Sequence, residues 1–415
     1  QRLSQSAKYR RDRWLPVGAH RLGNRSRKRR GAEILIDTFG THDVSPGYLV
    51  LKLIVYRTAI PWAEGGPGRR GMAAYTNLTK KDANLLAAEY GLPKVLSVRA
   101  VREGSVNTHY LLETARGKFV VKIDEVKSEI EVKRELDLLL FLRKHGFPCP
   151  VALADRRGRH CRDFGGHQLS VYRHVDGHAV DPEDLTLGQL ENVGRVMADL
   201  HLITKAYKKG VDSRFSFDRV AEIYAGVRGR LPHYLKKIVR TLDEELEYLQ
   251  NYLENKLPKG IIHGDVFADN VMIKGEKVVA VLDFEAAGRG KFIFDLATAV
   301  NGLCFEGGRY ALKRFEALIA GYETLRTLSL AEWDAFPNEL RFSAFRFTVT
   351  RLRDFFLNPA DERRRINKDF QDFYERLLIL RREKDGGMEA MLMAMATGYD
   401  YRKYQKVKAV ERRSR

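Results

Sequence analysis

Cysteine is scarce in this 415-residue chain. There are three, Cys149, Cys161 and Cys304, with no C-x-x-C pair. That excludes a disulfide framework and a cysteine-built zinc site, and it fits a reduced intracellular protein. Long apolar runs are also missing. A membrane helix needs about 18 consecutive apolar residues, whereas the best stretch, Tyr48 to Tyr56, is short and interrupted by Lys52. The chain therefore reads as soluble and cytoplasmic, with no membrane partner. No internal repeat or coiled-coil heptad is visible.

A surplus of one charge sign is missing from the body of the chain, although the total of +19 suggests otherwise. Residues 1–71 hold 15 lysines and arginines against 5 acidic residues, and residues 401–415 hold 7 against 1. The ends thus carry +10 and +6, and only +3 remains for residues 72–400. A nearly neutral body argues against a nucleic-acid partner. Residues 1–71, with the run Arg25-Ser26-Arg27-Lys28-Arg29-Arg30, read as a basic leader, disordered or not part of the native protein. Residues 384–415 read as a helical, basic tail.

Between these ends the patterning is clear. A short helix from Lys80 precedes three β-rich runs, Val95 to Val101, His109 to Thr114 and Lys118 to Asp124. An amphipathic helix over Val126 to His145 comes next, and a strand over Gln168 to Val175 leads to a pivot at Asp176-Gly177. Beyond it the sequence is mostly helical. The expected fold is α+β, a protein-kinase-like two-lobed arrangement. Residues 72–175 form a small β-rich nucleotide-binding lobe, and residues 176–383 a larger, mainly helical catalytic and substrate lobe.

Within the helical part lies Ile261 to Glu285, IIHGDVFADNVMIKGEKVVAVLDFE, with a strand–turn–strand pattern. Phosphoryl transfer to a hydroxyl needs a carboxylate to orient and deprotonate the acceptor, and hard oxygens to hold Mg²⁺ against nucleotide phosphates. Asp265 is the candidate catalytic base, and Asn270 and Asp283 are the candidate metal ligands. His263 is read as holding the loop by hydrogen bonds. Asp295 is read as scaffold, by an ordinary helix N-cap or by steadying the loop that carries Asp283. In the small lobe, Lys122 sits mid-strand and needs a partner, for which Glu135 is the candidate. Gly104, Ser105 and Asn107 join two strands and could cover the phosphates. The cofactors implied are ATP and Mg²⁺, and the partner is a small-molecule hydroxyl substrate of a monomer or homodimer.

Asp265, Asn270, Asp283 and Asp295-Leu296-Ala297 resemble the aminoglycoside-phosphotransferase-type branch of the kinase fold. A eukaryotic-type protein kinase is disfavoured, because Gly264, Phe267 and Glu285 stand where that family carries Arg, Lys and Gly. Within the branch, the chain from Met72 to about Arg382 resembles bacterial type II homoserine kinases. The resemblance is carried by Glu103-Gly104-Ser105-Val106-Asn107-Thr108-His109-Tyr110, Asn301-Gly302-Leu303-Cys304-Phe305-Glu306 and Arg346-Phe347-Thr348-Val349-Thr350-Arg351-Leu352-Arg353-Asp354. It implies ATP-dependent phosphorylation of the homoserine hydroxyl, giving O-phosphohomoserine for threonine synthesis. Members often carry Thr at the position of Lys122 and Tyr at that of Glu285.

A free amino acid needs a cation for its carboxylate and an acceptor for its ammonium. Arg346, Arg351 and Asp354 are the candidate substrate residues. Arg346 and Arg353, seven apart, are expected on one helix face, and Arg351 and Asp354 as i,i+3 neighbours. The alternatives are a kinase of another small alcohol (an aminoglycoside, choline, methylthioribose or an amino alcohol) and a catalytically silent nucleotide-binding scaffold.

Overall fold

The computed structural model describes residues 76–101, 107–358 and 368–382. The basic leader, the C-terminal tail, Gly104 and Ser105 lie outside the described residues. The first helix, α1 (Lys80–Glu89), starts at a reciprocal cap in which Thr79 and Asp82 each receive the other's backbone N–H. Its apolar side, Ala83, Leu86 and Ala87, packs on a five-stranded antiparallel sheet. The strands are β1 (Val95–Val101), β2 (Thr108–Thr114), β3 (Gly117–Asp124), β4 (Arg162–Phe164) and β5 (His167–Arg173), in spatial order β1-β2-β3-β5-β4. On central strand β3, Lys122 is flanked by His109 on β2 and Ser170 on β5.

Helix α2 (Glu129–Lys144) lies between β3 and β4 in sequence, opened by a Ser128/Glu131 capping box. Its inward leucines, Leu136, Leu138, Leu139 and Leu142, join the core of the helical part, not the cluster under the sheet. Glu135, spaced i, i+3, i+4 and i+7 with Leu138, Leu139 and Leu142, shares their buried side and meets Lys122 of β3 at 3.1 Å. The helix therefore fixes a carboxylate beside Lys122 while anchored in the larger core.

The remaining elements are α3 (Leu187–Thr204), α4 (Phe217–Arg228), α5 (Lys236–Tyr252), the strand pairs β6 (Lys259–Ile262) with β9 (Gly288–Lys291) and β7 (Val271–Lys274) with β8 (Lys277–Val281), α6 (Phe292–Leu303), the short pair β10 (Phe305–Glu306) and β11 (Arg309–Tyr310), α7 (Leu312–Glu323), α8 (Leu330–Arg351) and α9 (Gln371–Arg382). This is the expected small β-rich part followed by a mainly helical part. Among the described residues, no helix is long and apolar enough to cross a membrane.

Two helices set the frame of the helical part. α6 is buried on every side, its apolar residues interrupted only by Asp295, Thr298 and Asn301, each of which is hydrogen-bonded. From Ala335 onward, α8 is nearly sealed as well, although it carries Pro337 and several charged residues. Its charges are paired inside. Arg341 makes a two-pronged ion pair with Glu245 at 2.8 and 2.6 Å, and Lys291 pairs with Glu339. Beyond Arg351 the helix widens into a single π turn, Leu352–Phe356.

Candidate active site

The segment from β6 to β9 brings three of the candidate residues together by local geometry. β7 and β8 form a hairpin in which Val271 pairs with Val281, and the Leu282 N–H donates to the Asn270 carbonyl at 2.8 Å. Asn270 and Asp283 therefore sit at the same end of the hairpin. The Asn270 side-chain amide donates to Asp265, 2.9 Å to its carbonyl and 3.3 Å to Oδ2. That leaves the amide oxygen as the ligand Asn270 can offer.

Backbone conformation is unusual at two points here. Gly264 has φ +77°, and an added Cβ would lie 3.1 Å from the Ala286 carbonyl oxygen, so glycine is required on both counts. Asp283 has φ +59°, the one positive φ of a non-glycine residue among the described residues. Such a conformation is costly and concentrates at functional turns.

Asp295 holds the loop from below. Its Oδ1 accepts the Gly264 N–H at 2.7 Å and its Oδ2 the His263 N–H at 3.0 Å. The expected N-cap role is corrected: Lys291 occupies the cap of α6, and Asp295 lies one turn inside, fully buried. The loop that Asp295 supports is also that of His263-Gly264, not that of Asp283. His263 makes the latter link, donating from Nε2 to the Leu282 carbonyl at 2.8 Å and accepting the Asp265 N–H at Nδ1 at 3.2 Å.

A chain of buried groups stands behind Asp295. His201 lies 2.9 Å from Asp295 Oδ2 through Nε2 and 2.8 Å from the Tyr322 hydroxyl through Nδ1. Arg326 donates to that hydroxyl at 3.0 Å and to Glu332 at 2.6 Å. Burial would raise the Asp295 carboxyl, but His201, His263 and the Gly264 N–H outweigh it and hold the pKa below the usual range. The link from His201 to Asp295, 94 residues away, has no signal in the sequence.

Across from this loop, Lys122 Nζ lies 3.1 Å from Glu135 Oε1 and 3.4 Å from Asp124 Oδ1. Burial alone would lower the Lys122 pKa, but Glu135, Tyr172 and Asp124 outweigh it and hold it well above its ordinary value. Burial likewise opposes ionisation of Glu135, yet Lys122 and Lys127 bring its pKa down to about 2. Lys127 was not anticipated. Its Nζ contacts Glu135 Oε2 at 2.5 Å and Glu285 Oε2 at 3.2 Å. Asn107 also reaches Glu285, donating at 3.3 Å.

Asp283 keeps an exposed surface, but its carboxyl is hemmed in by protein. That desolvation, followed by Glu285, with Asp265 and Glu135 adding, pushes its pKa to about 7 against the pull of Lys122. Three carboxylates from one loop system thus repel one another where a cation would relieve them. Among the described residues no three His, Cys, Asp or Glu side chains are grouped to hold a metal by themselves. The donor set, one carboxylate and one amide oxygen, suits an ion that completes its shell with phosphate and water, as Mg²⁺ does.

The substrate candidates separate. Arg346 is buried at 3% exposure and reaches Asp265 Oδ1 at 3.4 Å. Its guanidinium lies over Phe215 and Phe347, 3.9 and 3.7 Å from the ring centroids. Burial lowers its pKa to about 10 against the pull of Asp265. Arg351 instead turns to α9, donating to the Asp369 carbonyl at 2.7 Å and Asp372 at 3.0 Å. Arg351 and Asp354, i,i+3 neighbours in sequence, are not joined: Asp354 is held by Arg353 at 2.6 and 2.8 Å. The shared face of Arg346 and Arg353 is also lost: α8 ends at Arg351, and the π turn rotates Arg353 out of the α-helical register.

A sequence model of the phosphotransferase enzyme family matches residues 97–328, over half of the chain. The homoserine kinase of Caulobacter sp. (strain K31) is 32% identical over 315 residues, 75% of this chain and 97% of that enzyme. Among solved structures, a microcompartment-associated aminopropanol kinase superposes with a TM-score of 0.58 at 20% identity, covering 73% of this chain and 97% of the other. An amicoumacin kinase in complex with AMP-PNP, Ca²⁺ and Ami gives 0.54 at 17% identity, covering 69% and 87%. These two likenesses are of fold, and the fold is kinase-like. With the family match running from β1 past α7, the chain belongs to the phosphotransferase enzyme family.

Proposed function

We propose that the chain transfers the γ-phosphoryl group of ATP to the hydroxyl of L-homoserine, giving O-phospho-L-homoserine. The observation that carries the chemistry is the convergence of Asp265, Asn270 and Asp283 at one end of the β7–β8 hairpin, electrostatically coupled to Lys122 and Glu135.

Asp265 orients the acceptor hydroxyl and takes its proton as the oxygen attacks phosphorus in line, a contribution of about 10²–10⁴-fold. Its carboxylate is steadied on one side by Asn270 and on the other by Arg346. Asn270 and Asp283 would hold Mg²⁺, which when bound neutralises phosphate charge. Lys122, fixed by Glu135, binds the nucleotide phosphates. Asp295 and His263 keep the loop in shape.

Homoserine is favoured over other alcohols by the homoserine kinase relative, matched over nearly its full length, and by Arg346. The Arg346 Nε is buried without a hydrogen-bond partner, an arrangement that favours an anionic ligand such as the carboxylate of an amino acid. Arg351 and Asp354, already engaged elsewhere, are weaker candidates for that contact.

The deciding experiment is ATP consumption by the purified full chain against homoserine, serine, aminopropanol, ethanolamine and an aminoglycoside, with phosphorus NMR of the product. Homoserine-dependent turnover and an O-phosphohomoserine resonance are expected. Turnover of another alcohol with none of homoserine would replace the acceptor and leave the chemistry. Nucleotide binding without turnover of any alcohol would favour a silent scaffold.

A further inference from the structure

We propose that Lys127 is a second nucleotide-anchoring lysine, paired with Lys122 on Glu135; the inference rests on the ATP-dependent reading above. Glu135 is divided between the two ammonium groups. Its Oε1 meets Lys122 at 3.1 Å and its Oε2 meets Lys127 at 2.5 Å. Lys127 makes the closer contact, yet it comes after β3 in what reads as an ordinary charged connection.

Three observations set Lys127 apart from a solvated surface lysine. Its side chain is only 9% exposed. Its ammonium, with three donors to place, is surrounded by carboxylates from three segments: Asp124 at the end of β3, Glu135 on α2, and Glu285 on the turn just after Asp283. The Glu285 oxygen it contacts is the one to which Asn107 donates. The ammonium therefore sits in the cleft between the β-sheet and the Asp283 turn, where the phosphates of a nucleotide must pass.

The charge count requires a cation to accompany the phosphates. Lys122 and Lys127 face three carboxylates, Asp124, Glu135 and Glu285, with Asp283 close by. A polyphosphate with its cation can take the place of Glu285 on Lys127 without leaving either ammonium unpaired, because Glu135 remains bound to both. Lys122 fixes one position of the phosphate chain, and Lys127 a second, nearer Asn107 and Glu285.

The test is calorimetric binding of ADP and of a non-hydrolysable ATP analogue, with Mg²⁺, to the full-length wild type, Lys127→Met, Lys127→Arg, Lys122→Met and the double Lys122→Met/Lys127→Met. Losing one charge-assisted phosphate contact weakens binding about tenfold. Lys127→Met should lose that much and Lys127→Arg should regain part of it. The double variant should bind more weakly than either single one. The acceptor KM of Lys127→Met, measured at saturating ATP, should stay within about twofold of wild type, a split that a collapsed lobe would not produce. Nucleotide affinity of Lys127→Met within twofold of wild type would overturn the proposal. So would a parallel loss of nucleotide affinity, acceptor affinity and Tm, which would make Lys127 a structural latch only. If the wild type itself binds no nucleotide, the ATP-dependent reading fails first.

Discussion

The Arg346 guanidinium, sandwiched against Phe215 and Phe347, reaches the Asp265 carboxylate from a buried position on α8. The pair spans 81 residues and joins a largely buried helix of the larger part to the loop of the candidate base. Because a guanidinium offers five donors and Asp265 takes one, Arg346 can hold Asp265 and an acceptor carboxylate together. Replacement by Ala removes both contacts. The expected result is a homoserine KM at least about tenfold higher, with the KM for ATP unchanged. Arg346→Lys should recover little, since an ammonium cannot reproduce the fork. Steady-state kinetics with each substrate varied in turn will decide it, and an unchanged homoserine KM would remove Arg346 from acceptor binding.

Asp265 itself should tolerate an isosteric change without loss of the nucleotide site. Asp265→Asn keeps the shape but cannot take a proton, so turnover should fall at least about 10²-fold while nucleotide affinity stays near wild type. Single-turnover measurements at saturating ATP isolate this step. Turnover near wild type would exclude Asp265 as the base.

Asp295 supports the same loop through two backbone donors and His201, all without access to water. Asp295→Ala strands two N–H groups and a histidine in the core. Breaking a buried charged network costs about 3–5 kcal/mol. We expect a lower denaturation midpoint, and loss of turnover even at temperatures where the variant remains folded. Chemical denaturation alongside activity measures both. Equal stability with full activity would show that the loop holds its shape unaided.

How legible each feature is in the sequence depends on how local it is. β1 spans Val95–Val101 as expected, and β2, β3 and α2 begin or end within three residues of expectation, because alternation and capping are properties of neighbouring residues. The nearness of Asp265, Asn270 and Asp283 is local for the same reason: Asn270 and Asp283 flank one hairpin, and Asp265 lies five residues before Asn270. α8 was largely illegible. Its apolar residues run around every side and Pro337 lies inside it, so no period announces a helix. Its buried charges are explained only by partners on other elements, such as Glu245 for Arg341. Lys127 was missed because nothing in Glu125-Val126-Lys127-Ser128 distinguishes a buried lysine from an exposed one.

Protonation of His109 should weaken the fold in a definable window. Burial, followed by Lys122, lowers the His109 pKa to about 4 against Glu285 and an Asn107 backbone contact. Burial also lowers His201, against the pull of Asp295. An unfolded histidine titrates near 6.5. Between about pH 6.5 and 4 the unfolded chain therefore binds protons that the native state refuses. The stability associated with a neutral His109 is complete above about 6.5 and is lost as the pH falls toward 4. Asp283, raised to about 7, takes up its proton in the native state over the same window and opposes this loss, so the His109 contribution is read as the difference between wild-type and His109→Gln melting curves at half-unit intervals. The Tm of His109→Gln should fall less steeply than that of the wild type, and an identical slope would mean that His109 titrates normally.

The crossing of α3 and α7 makes the sharpest packing prediction. A Cβ on Gly194 would lie 1.9 Å from the Leu318 carbonyl oxygen, and one on Gly321 1.8 Å from that of Glu191. The neighbours are backbone atoms, so no side-chain rotation can relieve the clash, and the two helices would have to separate. The same helices carry His201 and Tyr322, whose 2.8 Å contact is part of the support behind Asp295. Gly194→Ala or Gly321→Ala should therefore cost at least the 1–3 kcal/mol typical of overpacking, about that amount for each, and should lower turnover by loosening that support. Gly226, with open space around it, is the control: Gly226→Ala in α4 should be neutral or stabilising by up to about 1 kcal/mol. Equal Tm values for all three variants would show that α3 and α7 can part at little cost, and would detach the helix crossing from the geometry of the loop.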